Sequence, residues 1–190
     1  MNRSLCPRRL LVWGVLYLLF YFSAAGWFWQ DIVARKDKEA RKLYEEEKID
    51  EALSKWRDAQ IESPEKKELH YNIGNALHKQ KEYQDALGEY EKSTDAKNAE
   101  LKAKTYYNIG NTHYRMGKLP EAIEDYGKCL EVTPDDEDAK YNIEFIKKKM
   151  EEQKKSDKEE KSDKEKSQEE KQQSQDSMEQ ESQGKEQETE

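Results

Sequence analysis

Apolar and polar positions follow three different patterns along the chain. Leu10 to Trp29 is an uncharged, apolar and aromatic run, LLVWGVLYLLFYFSAAGWFW. Downstream, to about residue 150, apolar residues fall at the spacings of amphipathic helices with charged faces between them. From Glu151 onward the chain is almost wholly Lys, Glu, Gln, Ser and Asp, with Met178 its only large apolar residue. An all-α protein is predicted: a basic flank (1–9), a membrane-length helix (10–29), a helical domain (30–150) and a disordered charged tail (151–190).

The helical domain carries its own period. Tyr-Asn-Ile occurs at Tyr71-Asn72-Ile73, Tyr107-Asn108-Ile109 and Tyr141-Asn142-Ile143, with spacings of 36 and 34 residues. The first two copies run on into Gly74-Asn75 and Gly110-Asn111. Twelve residues after each glycine comes an alanine, Ala86 and Ala122, and four further on an aromatic, Tyr90 and Tyr126. One period earlier stand Ala40, Ala52, Trp56 and Ala59; Pro64 closes that unit and Pro134 the third. A period near 34 is that of a stacked helix–turn–helix repeat. Small residues let paired helices approach, and aromatics fill the groove between successive pairs.

These residues resemble the tetratricopeptide repeat (TPR). The resemblance implies a solenoid of three helical hairpins, about residues 33–66, 67–102 and 103–136, with a capping helix over 137–150. Ser63 is expected to N-cap the next helix, and Pro64 to occupy its first turn. Two extra residues between Gly74 and Gly110 lengthen the turn around Asp95 to Glu100. Asp135 to Asp138 lie where a helix dipole favours acids. Ile143 and Ile146 are expected to face the core and Lys147 to Lys149 the solvent.

In this repeat type the first helix of each pair lines the concave face. Tyr71, Asn72 and Asn75, with His78 and Lys79, then share a surface with Lys104, Tyr107, Asn108, Asn111 and Arg115, and with Tyr141 and Asn142 on the capping helix. Asparagine can donate to and accept from a peptide backbone, and tyrosine adds apolar area with a polar tip. An extended peptide or a partner helix would fit. The asparagines could equally bond across adjacent helices and stiffen the stack. A clamp for two carboxylates is disfavoured: Asn75 and Asn108 suit it, but Tyr71, Asp138 and Asn142 stand where it needs basic residues.

Charge changes this picture little. The chain has 40% charged residues, a mean hydropathy of −1.30 and a formal net charge of −8. The last forty residues hold 8 Lys against 15 acidic residues, which leaves the repeats nearly neutral and without a basic nucleic-acid footprint. The tail cannot bury enough apolar surface to offset its chain entropy. It is read as a solvating segment, or as one that folds on a partner.

At the other end, twenty helical residues span about 30 Å, a bilayer's hydrocarbon thickness. Arg3, Arg8 and Arg9 precede the run and Trp27 and Trp29 close it, which predicts an uncleaved anchor with its N-terminus inside. The rival is a signal peptide cut after Ser23-Ala24-Ala25, releasing a soluble secreted protein. Cys6 and Cys129 would lie on opposite sides of the membrane; Cys129 is read as a packing residue. His70, His78 and His113 show no metal-ligand spacing, and no catalytic constellation stands out. No enzyme, no cofactor, no metal, no nucleic acid and no small-molecule substrate are expected.

The anchor, the repeats, the capping helix and the charged tail together resemble the TPR proteins of the Bacteroides aerotolerance (Bat) operon type, best over Tyr107 to Lys149. That resemblance implies a single-pass bacterial inner-membrane protein with a periplasmic TPR domain. It would work beside von Willebrand A-domain membrane proteins and a MoxR-type ATPase, in stress or aerotolerance. The expectation is a membrane-tethered adaptor for protein–protein interaction; a periplasmic chaperone holding unfolded clients is the alternative.

Overall fold

The computed structural model describes residues 32–158, and among them every regular element is helical. Seven helices follow one another: α1 (32–45), α2 (Ile49–Glu62), α3 (Lys67–Lys79), α4 (Tyr83–Glu91), α5 (Ala99–Arg115), α6 (Leu119–Val132) and α7 (137–158). The apolar run at 10–29 and the tail beyond 158 lie outside the described residues. Two compact units part between Lys140 and Tyr141.

The first unit is three helical hairpins, α1–α2, α3–α4 and α5–α6. Each hairpin turns in the same way. The residues at the bend, Glu47, Lys81 and Gly117, all have positive φ (61°, 67° and 75°). Each helix end is closed by a bond from the residue after the bend back across the last turn: Lys48 N to Leu43 O, Glu82 N to Leu77 O and Lys118 N to His113 O, each 2.9 Å. This geometry suits glycine, which carries no Cβ, yet only the third turn has one.

The repeat's small and aromatic positions form the core. Ala40, Ala52, Ala59, Ile73, Ala76, Ala86 and Ala122 are fully enclosed, and Trp56, Tyr90 and Tyr126 are nearly so. Gly74 and Gly110 press directly on rings. A Cβ at Gly74 would stand 2.6 Å from two Tyr90 ring carbons, and one at Gly110 would stand 2.9 Å from two of Tyr126. Glycine is what permits that approach. Cys129 is buried, as expected of a packing residue, and its Sγ lies 3.7 Å from Asp136 Oδ2.

Helix ends depart from the sequence expectation. Ser63 is the C-cap of α2, not an N-cap, and its N–H bonds Ala59 O. Pro64 sits in the turn before Lys66, so α3 begins at Lys67, and Pro134 likewise precedes the start of α7 at 137. Pro64 and Pro134 stop one repeat without opening the next helix; among the described residues Pro120, at the first turn of α6, is the one that opens a helix. The lengthened connection is real: α4 ends at Glu91 and α5 begins at Ala99, where Asn98 caps by accepting from Leu101 N at 3.1 Å. Asp136 plays the same part for α7, accepting from Ala139 N at 2.8 Å.

In the second unit α7 continues to 158, eight residues past the expected end of the cap. Ile146 is buried, Ile143 half-buried, and Lys147 and Lys148 are exposed, while Lys149 is partly covered.

Candidate functional site

Asn75 and Asn111 occupy the same place in successive hairpins, next to the glycines that press on the rings. Tyr90 Oη donates to Asn75 Oδ1 at 2.8 Å, and Tyr126 Oη donates to Asn111 Oδ1 at 2.6 Å. The ring fills the hairpin and its hydroxyl orients the carboxamide, so packing and polar geometry are set by one residue. Burial pushes the Tyr90 phenol well above its ordinary range, and the group therefore stays a donor.

The carboxamides then form a directed chain across α3 and α5. Asn111 Nδ2 points to Asn108 Oδ1 at 3.5 Å, a weak contact. Asn108 Nδ2 donates to Asn75 Oδ1 at 2.8 Å and lies 3.3 Å from Tyr71 Oη. Asn75 Oδ1 thus receives two donors, and its Nδ2 is left at the end of the chain. Together with Tyr44, His78, Lys79 and Tyr90, these three asparagines line a cavity of about 320 Å³. A second hollow, of about 240 Å³, lies between Arg41, Glu68, Tyr71, Asn72, Asn98 and Lys104.

Several expected groove residues therefore have internal duties. Asn72 Nδ2 donates to Asp37 Oδ1 at 3.1 Å; the same oxygen accepts from Trp56 Nε1 at 2.9 Å, and Arg41 binds the other oxygen. Burial raises the Asp37 carboxyl, but the bonds from Arg41 and Trp56, with the Arg41 and Lys66 charges, outweigh it and hold the group below the usual carboxylate range. Lys104 is paired with Glu100, and Lys79 with Glu47 at 2.6 Å while lying over the Tyr44 ring. Tyr107 packs edge-on against Tyr126, with centroids 5.5 Å apart. Arg115 is exposed at the end of α5. Tyr141 and Asn142 belong to the second unit, where Tyr141 is 66% exposed and its ring stacks on Phe145.

The histidines show no metal-ligand spacing in sequence, and two of them have carboxylate partners supplied by the second helix of their own hairpin. His70 is buried, with Nδ1 at 2.7 Å from Glu89 Oε2 and Nε2 at 2.7 Å from Pro64 O. His113 Nδ1 lies 2.6 Å from Asp125 Oδ2. Glu89 and Asp125 are 36 residues apart, which is the repeat spacing of that pair of units. The shared position was visible in sequence; its pairing with histidine was not, since His70 and His113 occupy different positions of their repeats.

Tetratricopeptide-repeat models match residues 38–100 and 103–136, more than half of the chain. The protein belongs to the tetratricopeptide-repeat family. No curated protein matches this chain. Among solved structures, this TPR chain is similar to the first TPR of Spaghetti (RPAP3) bound to the HSP90 peptide SRMEEVD, with a TM-score of 0.59 and 21% identity over 63% of this chain and 94% of that one. The Sgt2 TPR domain from Aspergillus fumigatus gives 0.59 at 18% identity, covering 65% and 82%. The Yersinia enterocolitica type III secretion chaperone SycD, in complex with a peptide of the translocator YopD, gives 0.58 at 14%, covering 63% and 95%. At such identities the likeness shows the shared fold.

Proposed function

We propose that this TPR protein is a membrane-anchored adaptor whose groove holds a segment of a protein partner. The observation that carries the reading is the cavity of about 320 Å³ between α3 and α5, floored by Asn75, Asn108 and Asn111. Its carboxamides are pre-oriented by tyrosine hydroxyls, so little side-chain entropy remains to be lost on binding. Structural neighbours of the same fold were solved with peptides bound, which supports peptide binding as the mode. The apolar run at 10–29 is the proposed anchor. The resemblance to Bat-type proteins supports a periplasmic placement in a bacterial inner membrane, beside von Willebrand A-domain proteins and a MoxR-type ATPase.

Photo-crosslinking residues at Lys79, Lys104 and Arg115, on the groove side, test the reading in membranes carrying the full chain. One discrete protein should be captured from all three positions and not from Gln84 or Asp85, exposed on α4. Equal capture from both sets of positions would refute the groove assignment. A broad smear of captured proteins at the groove positions, with suppression of aggregation by the purified chain, would favour the chaperone alternative.

A further inference from the structure

One groove side chain has its hydrogen-bonding state fixed by its neighbours. Thr112, enclosed in α5, has a single hydroxyl hydrogen, which it donates to Asn108 O at 2.6 Å. Its Oγ1 also lies 2.8 Å from His78 Nδ1. With the hydroxyl hydrogen already used, that contact requires the hydrogen to be on Nδ1. Burial, reinforced by the Arg115 charge, lowers the His78 pKa from its ordinary value, so the ring is neutral at neutral pH. A neutral ring protonated at Nδ1 has its lone pair on Nε2. Among the described residues Nε2 has no hydrogen-bond partner, and the ring is steadied by the edge of Tyr83 at 5.3 Å.

Asn75 supplies the opposite character one helical turn away. Its Oδ1 is saturated by Tyr90 Oη and Asn108 Nδ2, and among the described residues its Nδ2 has no acceptor. A donor on Asn75 and an acceptor on His78 therefore line the same cavity, at i and i+3 of α3. We propose that this pair reads the C=O and N–H of an internal, uncharged peptide segment, and that the groove rejects a chain-terminal carboxylate. The proposal rests on the groove reading above and narrows it to a ligand class.

The rejection follows from charge. A carboxylate has no hydrogen to offer Nε2, and its charge faces the lone pair. Lys79, Lys104 and Arg41, the cations nearest the cavities, are already paired with Glu47, Glu100 and Asp37. Of the groove cations, Arg115 alone has no ion pair among the described residues, and a terminal carboxylate is held well by several donors together, not by one.

The test uses the purified full chain and a random heptapeptide library displayed in two formats, one ending in a carboxyl terminus and one embedded between flanking residues. Embedded peptides should enrich. Their affinity should fall about tenfold for His78→Phe, which loses the acceptor but keeps a ring against Tyr83, and for Thr112→Val, which releases the tautomer. Enrichment only from the carboxyl-ended format would overturn this proposal while leaving the groove reading intact. Enrichment from neither would overturn both. Histidine-selective ¹⁵N NMR gives a check that does not depend on ligand or variant: His78 should carry its proton on Nδ1 at neutral pH, and a proton on Nε2 would sink the assignment.

Discussion

Among the described residues four helical glycines face two kinds of surroundings, and the same substitution should act with opposite sign in each. Gly74 in α3 presses on Tyr90, and an added Cβ would stand 2.6 Å from ring carbons Cδ1 and Cε1. The ring has little room to retreat, since Tyr90 is 1% exposed and its hydroxyl is tied to Asn75 at 2.8 Å. Overpacking of this kind costs about 1–3 kcal/mol. Alanine's better helix propensity returns about 1 kcal/mol, which leaves Gly74→Ala destabilising by about 1–2 kcal/mol at the upper end of that range. Gly88 in α4 has nothing within 4 Å of the same added atom. There the propensity term acts alone, and Gly88→Ala should stabilise by about 0.5–1 kcal/mol. Urea and thermal denaturation of the full chain followed by far-ultraviolet circular dichroism read both, at about 3–6 °C in Tm per kcal/mol for a domain of this size. Gly110→Ala should follow Gly74, more mildly, because its gap to Tyr126 is 2.9 Å. Shifts of the same sign and size at Gly74 and Gly88 would refute the claim that ring contact is what selects glycine.

Four further outcomes follow from the geometry. Lys81 sits at a hairpin bend with φ of 67°, so Lys81→Gly should raise stability by about 0.5–1 kcal/mol; a loss on urea denaturation would count against backbone strain there. Asp37→Leu leaves Trp56 Nε1 and Asn72 Nδ2 without their acceptor and should cost about 1–3 kcal/mol, seen as a lower urea midpoint. Burial raises the Glu89 carboxyl, but hydrogen bonds from His70 and Lys92 outweigh it and hold the group below the usual range. A depressed folded-state value means that its stabilising contribution is present above the ordinary carboxyl range, near pH 4, and is lost as pH falls through the folded value; the acid limb of a stability–pH profile should therefore be shallower in Glu89→Gln. Burial pushes the Cys129 thiol up to about 11, with Asp136 adding to the shift. In peptide mapping of iodoacetamide-treated protein at pH 8, Cys129 should be labelled only after urea is added, and labelling of the native protein would contradict its enclosure.

The histidines show why pairwise chemistry escaped the sequence. His70 and Glu89 are 19 residues apart on different helices, and His113 and Asp125 are 12 apart. No local spacing announces such a pair, because the hairpin bend brings them together. The same holds for Thr112 and His78, which meet across hairpins 34 residues apart. Pro64 departs from expectation in the other direction. Proline suits a helix's first turn, yet Pro64 sits in the turn before Lys66 and α3 starts only at Lys67, so proline here closes a repeat without opening the next helix.

By itself the sequence determined the architecture of the helical repeats. A recurring set of small and aromatic residues at a period near 34 is a packing constraint, and packing of regular helices depends on residue size at fixed offsets. Gly74 against Tyr90 and Gly110 against Tyr126 are that constraint in atoms. What only the tertiary structure decided is which polar groups are spent and which remain. Asn72, Asn75, Asn108 and Asn111 look alike in a sequence, each with a donor and an acceptor to offer. Once the hairpins stack, Asn72 is committed to Asp37, Asn111 is oriented by Tyr126, and the directed chain ends on the Nδ2 of Asn75. Hydrogen bonds saturate and have direction, so the binding character of a groove emerges only after its own internal bonds have been made.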